Sequence, residues 1–100
     1  MDLYKDAEDA FSEFALAAIR EQRAEVKHKY GKRLSMERSI RLQIFNDHLD
    51  ILKQLLKEKK LDILRATDLT KALDKAELDK KLTKKNDQYV QFFFKTNFDE

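Results

Sequence analysis

The 100-residue chain contains no cysteine, no proline and no tryptophan, and Gly31 is its single glycine. Without cysteine it can form no disulfide and has no thiolate nucleophile or ligand, and nothing in the chain marks a redox compartment. With no proline and one glycine it lacks most of the residues that punctuate turns. That argues for long helices and against a many-stranded sheet. No apolar run approaches the ~20 residues that a membrane-spanning helix needs, and the start, MDLYKDAEDA, is acidic where a secretory signal would be basic. The expectation is a soluble, cytoplasmic protein with no membrane contact.

What the chain has in quantity is charge, at 40% of residues, but Lys and Arg (21) nearly balance Asp and Glu (19), for a net charge of +2. A balance so close to neutral gives little bulk attraction for nucleic acid. Hydrophobic residues make up 42%, enough for one domain with one modest core.

The organising stretch is Leu34 to Leu64. Leu42, Phe45, Leu49, Leu52 and Leu56 recur at steps of three and four and so share one helix face. A second row of Ile44, His48, Ile51 and Leu55 widens the stripe beyond what one neighbouring helix covers. Before it, residues 2–30 form a helix with Tyr4, Ala7, Phe11, Phe14 and Ala18 on a stripe that drifts onto Ile19, Val26 and Tyr30. Acidic residues crowd its start and lysines its end, the order the helix dipole favours. Gly31 suits a position just past that helix, with positive φ, and Ser35 suits the N-cap of the next.

Thr67 and Asp68 are the cap-like residues before a third helix, which the pattern Leu69, Ala72, Leu73, Ala76 carries to about Lys85. Asn86 and Asp87 read as a turn, and the aromatic tail 86–100 then forms a short fourth element. The fold expected is an all-α bundle of three main helices, about 2–30, 35–64 and 67–85, in a single domain.

Chemistry is thinly marked. The three serines and two histidines have no glycine-rich turn beside them to build an oxyanion hole or hold a phosphate. Glu25 and His28 make one Glu-x-x-His pair, half of a carboxylate-bridged di-iron set, but Phe45 stands where the second half would put its glutamate before His48. No metal, no cofactor and no enzymatic activity are expected. His48 reads as a histidine at the edge of the core.

Two features point to partners. Arg20, Arg23, Lys27, Lys29, Lys32, Arg33, Arg38 and Arg41 outnumber Glu21, Glu25 and Glu37 around the first turn, a basic patch that suits phosphates or an acidic protein surface. In the tail, Tyr89, Phe92, Phe93, Phe94 and Phe98 are more aromatic surface than one helix can turn inward, so at least one is expected to meet a partner or a second copy. A homo-oligomer would bury the same surplus.

Two stretches resemble known modules. Glu37, Arg41 and Phe45, with Ile44 before the phenylalanine, a Gly31-Lys32 pair upstream and Ala66-Thr67-Asp68-Leu69-Thr70 downstream, resemble the propeptides of papain-type cysteine proteases and their free inhibitor relatives. The chain departs from that pattern at His48, Leu52 and Leu56, where the family has Asn, Ile and Asn. The resemblance implies a reversible protease inhibitor in which those three residues are scaffold and a segment near the tail lies along the enzyme's cleft. Separately, Thr67 to Leu73, a turn over Asp74 to Ala76, and Glu77 to Lys85 resemble a helix-turn-helix module with Lys75, Lys80, Lys81, Lys84 and Lys85 towards phosphate. The leading expectation is a protein-binding inhibitor or adaptor, with nucleic-acid binding through the basic helix faces as the alternative.

Overall fold

The computed structural model describes residues 4–31, 37–67 and 72–98, with side chains over 4–29, 37–67 and 74–95. It contains three helices, α1 (Lys5–Gly31), α2 (Arg38–Ala66) and α3 (Ala72–Phe98), and no strand among the described residues. The all-α three-helix bundle expected from the periodicity is thus observed. The expected break at Asn86 and Asp87 is not: α3 runs through both, and the aromatic residues are its last turns rather than a fourth element.

Cross-links between side chains fix the helix directions. Glu8 meets Lys81 and Ser12 meets Lys85, so α1 and α3 rise together. Gln22 meets His48 while Phe14 meets Lys59, so α2 runs against α1. The result is an up-down-up rod of 56 × 19 × 19 Å. One end, called here the Lys5 end, gathers the start of α1, the end of α2 and the start of α3. The Phe98 end gathers the other three termini.

The core is one line of side chains along the rod: Phe11, Ala15, Ala18, Ile19 and Val26 from α1, Phe45, Leu49, Leu52 and Leu56 from α2, Leu78, Leu82 and Phe93 from α3. The buried α2 residues are those of the first periodic row, and His48 joins them from the second. Leu78 and Leu82 look irregular when α3 is cut at Asn86. Continued through Tyr89 and Phe93, they are one stripe at steps of four and seven.

Helix ends differ from the expectation in two places. Gly31 is the last residue of α1 and no glycine has positive φ, so its role as a left-handed stop is corrected. Thr67 closes α2 instead of opening α3: its backbone turns extended (φ −76°, ψ 138°), its N–H donates to the Leu64 carbonyl at 3.2 Å and its Oγ1 to that of Ile63 at 3.0 Å. Ser35 lies outside the described residues. Glu37 occupies the N-cap of α2 without a side-chain capping bond.

Candidate partner-binding end of the bundle

The run Tyr89 to Phe94 lies on a helix, so its members point in different directions at 100° steps. Phe93 is fully buried, stacked on Phe45 with centroids 5.1 Å apart and planes at 25°. Tyr89 is half-buried and tilts against Phe11 at 6.3 Å. Phe93 is thus a core residue and Tyr89 packs partly buried against the core, so neither presents the exposed ring that the expected partner contact calls for. Phe92 and Phe94 flank Phe93 on either side and stay 48% and 46% exposed. Phe94 packs on Phe45, T-shaped at 6.2 Å, so its ring is held although the residue stays about half exposed. The Phe98 side chain lies outside those described.

The same end carries most of the described part of the basic patch, with Arg20 and Arg23 exposed further down α1. Lys27 and Lys29 lie in the last turns of α1, Arg38 and Arg41 in the first turns of α2, and all four are exposed. Arg41 stands one turn before Phe45, the residue on which Phe93 and Phe94 rest. The fold thus brings the aromatic and basic sets, far apart in sequence, to one pole of the rod. Lys32 and Arg33 lie outside the described residues.

Beneath the aromatic cluster is a polar pair that sequence reading found only in half. His48 is 5% exposed, and its Nδ1 donates to Gln22 Oε1 at 2.9 Å. The partner is a side chain from α1. Gln22 could have been found, because it occupies the step between Ala18, Ile19 and Val26 on the α1 core stripe. Burial lowers the imidazole pKa from 6.5, the Lys29 ammonium lowers it further, and Glu25 and Asp47 oppose the shift. The neutral ring therefore persists through neutral pH, which suits a donor to an amide oxygen.

The lysines of α3 are differently used. Lys81 pairs with Glu8 at 3.2 Å, and Lys85 reaches Ser12 at 3.4 Å, so both span α1 and α3; Lys80 and Lys84 are exposed. The helix is also unbroken over Asp74 to Ala76, where the helix-turn-helix resemblance requires its turn. Glu25 and His28 are exposed on α1, and among the described residues no group of three or more His, Asp or Glu is placed to hold a metal ion. No described helix is long and apolar enough to cross a membrane.

Comparison with protein-family models, curated proteins and solved structures gives no match to this chain.

Proposed function

We propose that this chain is a non-enzymatic helical protein-binding module, an inhibitor or adaptor that works by seating the Phe98 end of its bundle on another protein. The observation that carries this reading is the splitting of the aromatic run: Phe93 anchors the helix in the core while Phe92 and Phe94 stay about half exposed, at the end of the bundle that also carries exposed Arg and Lys residues. Large aromatics held on a rigid helix, with exposed basic residues at the same end of the bundle, have the composition of interface hot spots. The sharper form is a propeptide-like inhibitor of papain-type proteases. Its support is the spacing of Glu37, Arg41 and Phe45, which here is that of successive turns of one helix: the Arg41 N–H donates to the Glu37 carbonyl at 3.1 Å, and Phe45 is core. Against the cleft-lying segment that this form implies, the tail is helical as far as Phe98.

The nucleic-acid alternative is the weaker reading, since two of its five candidate lysines on the last helix, Lys81 and Lys85, already bridge to α1.

The test is a double variant, Phe92→Ala with Phe94→Ala. A chain cut at Asn86 would strip Tyr89 and Phe93 from the core, whereas the double variant leaves both in place. Purified papain-type proteases are titrated with parent and variant, and partners captured by the parent from a native extract are re-measured with both. Binding that weakens at least about tenfold in the folded variant, with little salt dependence, supports the proposal. Equal binding by both chains overturns it, and binding lost steeply with added salt in both would assign the surface to polyanions.

A further inference from the structure

The solvent face of α1 has a charge order that the bundle itself does not use. Asp6, Asp9 and Glu13 are exposed in its first half, Arg20, Arg23 and Lys27 are exposed in its second, and exposed Ala10, Ala17 and Ala24 run between them at steps of seven. Leu16, a large apolar residue 40% exposed, stands at the midpoint beside Ala17. This face is opposite the one that touches α2 and α3 through Phe14, Gln22, Glu8 and Ser12.

Helix-dipole compensation explains charges in the first and last turns, but it fades within a turn, and Glu13 and Arg20 sit in the middle of a 27-residue helix. Within one chain the pattern is unfavourable. Asp6 with Asp9, Asp9 with Glu13, Arg20 with Arg23 and Arg23 with Lys27 are like-charge neighbours at three or four residues.

A second α1 laid antiparallel, with the two-fold axis between Leu16 and Ala17, reverses every one of these relations. Asp6 then faces Lys27 of the copy, Glu13 faces Arg20, Asp9 lies between Arg23 and Lys27, and the two Leu16 side chains meet across the axis. Each contact occurs twice by symmetry, as an isologous interface requires. The alanines, lacking long side chains, let the two helices approach closely along a shared length of roughly 30 Å.

We propose that the outward face of α1 is a self-association surface whose partner is a second copy of this chain, docked antiparallel about Leu16 and Ala17. This surface lies apart from Phe92 and Phe94 and does not depend on the function assigned to them.

The test is a charge swap read by sedimentation equilibrium of the full chain at low and high salt, with helicity checked by circular dichroism. The parent dimerises at low salt and dissociates as salt is raised. Glu13→Arg alone and Arg20→Glu alone each set like charges face to face twice, and each weakens the dimer about tenfold or more. Mixing the two single variants restores association as a heterodimer, because Glu13→Arg in one chain then meets Arg20→Glu in the other. The proposal is overturned if the parent is monomeric at millimolar concentration in low salt, if both single variants dimerise like the parent, or if their mixture stays monomeric.

Discussion

The two ends of the rod are held together differently. Towards the Lys5 end, an apolar line of Phe11, Leu56, Leu78 and Leu82 is flanked by polar straps at the helix seams: Glu8 to Lys81, Lys85 to Ser12, Lys60 to Asp79 at 3.0 Å and to Thr83 at 2.6 Å, and Lys59 over the Phe14 ring at 5.4 Å. Towards the Phe98 end the arrangement is inverted. A polar pair, Gln22 and His48, sits inside, and aromatic rings, Phe92 and Phe94, sit outside. Partly exposed ion pairs add little to stability but fix helix register. A buried hydrogen-bonded pair is costly to break and free to titrate, while exposed rings cost solubility in exchange for contact area. The Lys5 end is therefore strapped at its surface, and the Phe98 end carries the exposed rings proposed above for a partner.

Substitutions can break or sharpen this contrast. The largest effect belongs to Phe93→Ala, which removes a fully buried ring stacked on Phe45 and should cost about 3–5 kcal/mol in chemical denaturation. Leu82→Ala at the other end should fall at about 2–5 kcal/mol, so apolar truncation does not distinguish the ends. The polar pair does. Gln22→Leu leaves the buried Nδ1 of His48 without its acceptor and should cost about 1–3 kcal/mol, whereas Gln22→Leu with His48→Leu should recover most of that loss.

The same pair sets a pH dependence. The pKa of His48 is lower in the folded than in the unfolded chain, so the unfolded chain binds more protons just below the ordinary value of 6.5. The stability associated with neutral His48 is fully present above that value and is lost as pH falls below it towards the folded pKa. Denaturation midpoints at pH 7.5 and 5.5 should differ in the parent and differ less in His48→Leu. The smallest effect is expected at the Lys5 end: Lys60→Met should change stability by no more than about 1 kcal/mol, because Asp79 is half exposed. Asn86→Leu should stabilise, since the Asn86 Oδ1 is buried with no hydrogen-bond partner among the described residues.

Asn86 also shows where sequence reading stops. A polar residue followed by Asp87 has the composition of a turn, yet here it is carried through a helix whose apolar neighbours Leu82, Tyr89 and Phe93 repay the misfit. The α2 stripe was legible because five of its residues keep the helical period without interruption, and all but Leu42 are buried. The broad second row also told its meaning in part, with His48 inside and Ile51 exposed. At the candidate site, the excess of aromatic residues was legible. Which ring turns inward was not, because that depends on whether residues 86–98 continue α3. Nor could the meeting of the tail with the basic patch be read, since it follows from helix direction, and helix direction is recorded in contacts such as Glu8 with Lys81 that join residues distant in the chain.

The parallel course of α1 and α3 sets the distance between the start of α1 and the end of α3. With Lys85 beside Ser12, Phe98 comes level with about Glu25, some twenty residues of helix above Lys5, or roughly 30 Å. A circular permutant would need a linker of at least about nine extended residues across that gap. Probes attached near Lys5 and near Phe98 would be held apart by a stiff strut, and fluorophores placed there would report bundle integrity by energy transfer, because separation changes as soon as the three helices part.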